Sequence, residues 1–164
     1  MKNIKVIIQG FGVVGASTAI NIVSSNNFKN SFNVHCIDKN NKEGVQKINL
    51  AKKGIFPIDT SDKLLNIYLK KALKKGKISF GYDPKEYQNA DIIIISINCD
   101  LSNKKAIKIN EFKKSVVSIL KNISENTLLI IESTVPPGTC EKIIYPEIVR
   151  IAKKRNINTK KIYL

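Results

Sequence analysis

The residues with the plainest chemical purpose stand together near the start of the chain, Gly10-Phe11-Gly12-Val13-Val14-Gly15, and are joined further on by Asp38. A Gly-x-Gly-x-x-Gly turn that leaves a β-branched apolar run and enters an apolar helical pattern is suited to cradling a dinucleotide. Gly10 permits the tight turn out of the strand. Gly12 lets a pyrophosphate come close to the backbone, and Gly15 lets the helix pack against the strand. The free N–H groups and the dipole at the helix start favour the phosphate charge. Asp38 closes a second extended run, Phe32-Asn33-Val34-His35-Cys36-Ile37. An acidic residue about 20 positions beyond the glycines hydrogen-bonds the ribose hydroxyls of the adenosine half. A carboxylate there repels a 2′-phosphate, so the expected cofactor is NAD rather than NADP.

Two further stretches are expected to reach the same site. Residues 92–97 are the most hydrophobic run of the chain and end in Ser96-Ile97-Asn98-Cys99-Asp100. Residues 127–132 form another apolar run and lead into Ser133-Thr134-Val135-Pro136-Pro137-Gly138-Thr139. In an open α/β sheet, ligands bind outside the carboxyl ends of the strands, where both polar loops would lie. The other reactive side chains carry less. His35 is the only histidine and sits inside a strand pattern with no triad or metal spacing around it, so a structural role is expected. Cys140 would fall in the first turn of a helix, where the dipole lowers a thiol pKa, but no base stands near it in sequence. Cys36, Cys99 and Cys140 show no paired or metal-type spacing and fit free thiols in a reducing compartment.

Positioning these groups takes an alternation of strands and helices. Val13, Val14, Ala16, Ala19, Ile20 and Val23 recur at helical spacing after the glycine turn, and Ser24-Ser25-Asn26-Asn27 ends that helix. Residues 43–53 read as a helix with Val45, Ile48 and Leu50 inward, stopped by Gly54. Residues 55–58 read as a short extended piece, because Pro57 biases Phe56 away from helix. Ser61-Asp62 suggests an N-cap for a helix carrying Leu64, Leu65, Ile67, Tyr68, Leu69, Ala72 and Leu73 up to Gly76. Residues 77–82 are a strand candidate, and Asp83-Pro84 opens a turn or one-turn helix through Tyr87. Residues 106–123 have helical periodicity. Thr139 is placed to cap the next helix, in which Pro146 predicts a kink or break, and a last strand begins at Lys160. The expected fold is an α/β, Rossmann-type doubly wound parallel sheet with helices on both faces, a single domain over residues 1–164.

The bulk properties bound the partners. The 164 residues allow one domain with a real core. No apolar run is long enough to span a bilayer and no signal-peptide pattern opens the chain, so a cytoplasmic protein without a membrane partner is expected. The net charge of +15 is spread over nearly every polar segment, without aromatic interleaving or a nucleic-acid motif. No nucleic-acid partner is expected, and the charge reads as a general field that attracts anionic nucleotides.

Taken together, these segments resemble the N-terminal NAD-binding domain of the UDP-glucose/GDP-mannose dehydrogenase family, over almost the whole chain. The resemblance rests on Gly10-Phe11-Gly12-Val13-Val14-Gly15 and Asp38, and on Lys47-Ile48-Asn49 with Gly54-Ile55-Phe56-Pro57-Ile58. It rests also on residues 90–98 and, most specifically, on Glu132-Ser133-Thr134-Val135-Pro136-Pro137-Gly138-Thr139, whose Pro-Pro-Gly-Thr form is closer to the acetamido-sugar branches. It implies oxidation of the C6 hydroxyl of a UDP-sugar to a carboxylate, through an aldehyde and a cysteine-bound thioester, with two hydrides passed to NAD. It implies that Gly10, Phe11, Gly12, Val13, Val14, Gly15, Asp38, Ser96, Ile97, Asn98, Ser133 and Thr134 bind the cofactor, and that residues 96–100 line the site from the neighbouring strand. Asn98-Cys99-Asp100 departs from the family's Thr-Pro at that loop. The family's acid/base glutamate, lysine and nucleophilic cysteine belong to segments expected past Leu164. No catalytic residue and no metal is therefore expected here, and this chain alone is expected to bind NAD without turnover. A UDP-sugar substrate, and room for a homo-oligomer, belong to the full-length enzyme. Two other readings share the half-fold: a hydroxyacid or 3-hydroxyacyl dehydrogenase, and a non-enzymatic NAD-binding module.

Overall fold

The computed structural model describes residues 3–25, 31–60, 62–99 and 109–164. The elements are β1 (Asn3–Gln9), α1 (Val13–Ser24), β2 (Ser31–Ile37), α2 (Lys42–Lys52), α3 (Leu64–Lys74), β3 (Ile78–Gly81), β4 (Ile92–Ile95), α4 (Ile109–Leu120), β5 (Thr127–Ile131), α5 (Tyr145–Arg155) and β6 (Ile162–Tyr163). All strand pairs are parallel, in the order β3-β2-β1-β4-β5-β6. This is the doubly wound sheet the alternation predicts.

Period-two alternation divides the core between the two faces. Val6 and Ile8 of β1 and Ile94 of β4 pack with Ala16, Ala19 and Ile20 of α1, Ile48 of α2 and Leu69 of α3. Ile7, Ile93 and Ile95 face the other way, onto Phe112, Val116 and Ile119 of α4 and Ile148 and Ile151 of α5. The unbroken isoleucines of β4 follow from this, since a central parallel strand is covered on both sides.

Local chemistry sets the ends of the elements, and several differ from expectation. Asn41 caps α2, its Oδ1 accepting from the Gly44 N–H at 2.9 Å. At α3 the N-cap position is Lys63, and the Asp62 side chain instead accepts the Leu64 N–H at 2.8 Å, while Ser61 lies outside the described residues. Only Leu69 and Ala72 of α3 are fully buried, because Leu64, Ile67 and Tyr68 project to solvent. Residues 55–58 form no strand. The helix expected over 106–123 is described from Ile109, so residues 106–108 lie outside the description. Thr139 does not cap, since its hydroxyl donates to the Pro136 carbonyl at 2.7 Å. The break expected at Pro146 takes the form of a π-helical turn, Cys140–Ile144, after which Pro146 falls in the first turn of α5. Lys160 lies in a 3₁₀ turn, Thr159–Lys161, that precedes β6.

Candidate functional site

From β1 the chain moves out to β2 and β3, then crosses to β4, β5 and β6 on the other side. The carboxyl ends of β1 and β4 therefore flank the point at which a doubly wound sheet admits a ligand. A cavity of about 810 Å³ opens there. Of the residues expected at the site, Gly10, Phe11, Gly12, Val13, Val14, Asp38, Ser96, Ile97, Asn98, Ser133 and Thr134 all line it. Gly15 does not; it lies beneath the wall. Asp100 is outside the described residues.

The three glycines separate by what a side chain would meet. At Gly10, with φ +95°, a Cβ would stand 2.4 Å from the Ser96 carbonyl oxygen. At Gly15 it would stand 2.0 Å from the Gly10 carbonyl oxygen and 3.2 Å from Ile8 Cγ2, which is the close helix–strand contact. At Gly12 it would meet nothing within 4 Å, so the backbone there is open to the cavity. Gly12 is also the N-cap of α1 and offers no side-chain acceptor to the first-turn N–H groups. An open backbone, uncapped amides and a helix N-terminus suit the diphosphate of a dinucleotide. Val13 and Val14, apolar by pattern, are 60% and 52% exposed and lie along the cavity rather than in the core.

Asp38 is held by the main chain. Its Oδ2 accepts from the Phe11 N–H at 3.2 Å and its Oδ1 from the Lys39 N–H at 2.7 Å. The Phe11 ring is fully buried and packs edge-on to Phe80 at 5.1 Å, so only its backbone faces the cavity. The carboxylate thus stands beside the glycine turn at the tip of β2, with lone pairs left for ribose hydroxyls.

The other end is built from side chains. Ser133 Oγ accepts from the Ile97 N–H at 2.9 Å and donates to the Ile95 carbonyl at 3.1 Å, stapling the loop after β5 to the loop after β4. Glu132 accepts from Thr18 Oγ1 of α1 at 2.8 Å through Oε1, and from Ser96 Oγ through Oε2. Asn98 and Thr134 are exposed. Glu132 and Gln9 are cavity residues that the sequence reading missed. Gln9 is buried and accepts from the Tyr87 hydroxyl. The available signal for both was a polar residue at the carboxyl end of an apolar strand. At the rim, Lys39 pairs with Glu111 at 3.3 Å and Lys47 with Glu43 at 2.6 Å.

The remaining reactive groups divide by place. Cys99 lines the cavity, half-buried. Cys36 is wholly enclosed, and burial pushes its thiol well above the usual range, which makes it inert. Cys140 stands away from the cavity, beside Tyr145. His35 contacts Ser79 Oγ through Nδ1 at 2.8 Å, its Nε2 is buried without a partner, and burial lowers its pKa. Among the described residues no group of three or more His, Cys, Asp or Glu side chains could hold a metal, and no helix is long and apolar enough to cross a membrane.

A family model described as the UDP-glucose/GDP-mannose dehydrogenase family, NAD binding domain, matches residues 3–164. UDP-glucose 6-dehydrogenase of Rickettsia conorii is 33% identical over 113 residues, which are 68% of this chain and 25% of the relative. UDP-N-acetyl-D-mannosamine dehydrogenase of Methanococcus vannielii is 31% identical over 144 residues, 85% of this chain and 30% of the relative. NDP-N-acetyl-D-galactosaminuronic acid dehydrogenase of Methanosarcina mazei superposes with a TM-score of 0.84 at 21% identity, over 97% of this chain and 33% of that structure. The chain thus spans a quarter to a third of the length of the relatives it matches.

Proposed function

The chain belongs to the UDP-glucose/GDP-mannose dehydrogenase family through that family's NAD-binding domain, and from this we propose that it is the cofactor-holding part of a nucleotide-sugar 6-dehydrogenase. The substrate of the whole enzyme is a UDP-sugar, whose C6 hydroxyl is taken to a carboxylate in two oxidations. Bound NAD supplies the hydride acceptor. The chain's own residues bind and orient it. The amides after Gly12 take the diphosphate, and Asp38 takes the adenosine ribose. Residues 96–98 with Ser133 and Thr134 border the half that reacts. On this reading the full-length enzyme works in the cytoplasm, with room for a homo-oligomer. This chain alone binds NAD without turning over sugar.

The observation that carries the reading is the continuity of one cavity from Asp38, past the open backbone of Gly12, to the loops after β4 and β5. Calorimetric titration of the chain with NAD and NADP is the direct test, with absorbance of reduced nicotinamide followed after addition of UDP-glucose or UDP-N-acetylmannosamine. Saturable NAD binding, weaker NADP binding and no reduction are expected. Tighter binding of NADP, or binding of neither, would sink the cofactor assignment. Reduction by this chain alone would refute the division of labour.

A further inference from the structure

Glu132 is the carboxylate that the cofactor reading leaves without a task. It follows β5 directly, and its N–H donates to the Ile95 carbonyl at 3.0 Å, which fixes it at the carboxyl edge of the sheet. Its side chain lines the cavity, held from two sides by the hydroxyls of Thr18 and Ser96. Its charge is uncompensated. Glu43, Glu86, Glu111, Glu125 and Glu147 each pair with a lysine or arginine, as expected in a chain of net charge +15. Among the described residues Glu132 and Glu141 have no such cation, and of these two only Glu132 lines the cavity. Two neutral hydroxyls fix the direction of the carboxylate without cancelling its charge.

The position matters because the two ends of the cavity differ. Asp38, at the tip of β2, marks the adenosine end, and the glycine turn at the tip of β1 marks the diphosphate. The rest of a dinucleotide must then run toward β4 and β5, where Glu132 stands. The nicotinamide ring there is cationic in NAD⁺ and neutral in NADH. A fixed, unpaired carboxylate attracts the first and is indifferent to the charge of the second.

We propose that Glu132 is a specificity-determining residue that makes this site favour NAD⁺ over NADH, an inference that rests on the assignment of the cavity to NAD. Such a preference suits an enzyme that must exchange reduced for oxidised cofactor between two oxidations. A structural role alone would weaken both redox forms equally, so the ratio of the two affinities separates the alternatives.

The test measures NADH binding by the fluorescence of its reduced ring, and NAD⁺ by competition, in the wild type, Glu132→Gln and Thr18→Val. Gln keeps the shape and one acceptor but removes the charge. Glu132→Gln is expected to weaken NAD⁺ by about threefold to tenfold, the Coulomb attraction of a partly screened pair at contact range, and to leave NADH within about twofold. Thr18→Val keeps the carboxylate and is expected to keep most of the preference. Equal weakening of both forms in Glu132→Gln, an unchanged ratio, or a ratio in Thr18→Val as low as in Glu132→Gln would overturn the proposal. Wild-type protein that binds neither form would overturn the cofactor reading itself, and that outcome is distinct from an NAD site without redox preference.

Discussion

The two ends of the cavity hold their carboxylates by different means. Asp38 is fixed by two backbone amides, one adjacent in the chain and one 27 positions away in the glycine turn. Glu132 is fixed by two side-chain hydroxyls, 36 and 114 positions away, on β4's loop and on α1. The Asp38 end therefore exists wherever the turn and β2 fold correctly. The Glu132 end exists only where particular serines and threonines are present as well. A main-chain cradle tolerates drift in sequence, whereas a side-chain cradle carries the discriminating detail of a particular enzyme.

The sharpest way to break this comparison is at the glycines, where the main chain is the site. Gly12→Val places a branched side chain in open space that a diphosphate would fill. NAD affinity is expected to fall at least about a hundredfold, about 2.7 kcal/mol, while the melting temperature stays near that of the wild type. Gly15→Val should do the reverse damage. Its Cβ meets the Gly10 carbonyl oxygen at 2.0 Å, and the fold is expected to lose ~3 kcal/mol or more. Calorimetry and thermal unfolding of both variants check the pair. Retained NAD binding in Gly12→Val would remove the diphosphate from this turn.

Removing single anchors at the two ends comes next in size. Asp38→Asn keeps the acceptor that the turn needs and removes the charge. It is expected to weaken NAD by about tenfold and to narrow its advantage over NADP, because charge-assisted hydrogen bonds to ribose are lost along with repulsion of a 2′-phosphate. Ser133→Ala leaves the Ile97 N–H without its side-chain acceptor at the opposite end. It is expected to cost about 1 kcal/mol of stability, and to weaken NAD less than Asp38→Asn does. A larger loss of affinity from Ser133→Ala would reverse the ranking and make the side-chain end the dominant anchor.

The same division explains what could be read from residues alone. The glycine turn, Asp38 and the six strands follow from local patterns: a run of β-branched residues, a glycine spacing, an acid at a strand end. Thr139 went astray because its residue type suits a cap, while the two prolines before it bring the Pro136 carbonyl within reach of its hydroxyl. Val13 and Val14 carry a core-like pattern, yet the helix turns them toward the cavity. Leu64, Ile67 and Tyr68 of α3 likewise follow helical spacing but exceed the width of the stripe that the sheet covers. Glu132 was passed over because nothing near it in sequence names Thr18 as its holder. That contact exists only after α1 has been laid across the sheet.

Acid stability is the smallest expected effect, and it separates His35 from the paired glutamates. Burial holds His35 of β2 below its usual range. Glu86 opposes that shift in part, and Lys5 and Lys52 add to it. In the unfolded chain the imidazole takes a proton near pH 6.5, and the folded state resists it. From about pH 6.5 downward the unfolded state therefore binds more protons, so stability falls as pH falls, until the folded ring is also protonated. On the other side of the sheet, hydrogen bonds from Lys113 and Arg150 hold Glu147 of α5 below the usual carboxylate range. The Asn158 N–H and Lys161 do the same for Glu125, which precedes β5. Their contribution is complete above about pH 4.3 and is lost only as pH falls through the lowered values. The stability tied to His35 should therefore be lost first on acidification, and that tied to Glu43, Glu125 and Glu147 later. Urea midpoints of the wild type and His35→Leu at about pH 7.5, 5.5 and 3.5 resolve the two steps. His35→Leu is expected to flatten the first interval and leave the second intact, because Leu needs no partner where Nε2 has none. A variant that keeps the full loss between the two higher pH values would assign that step to a group other than the imidazole of β2.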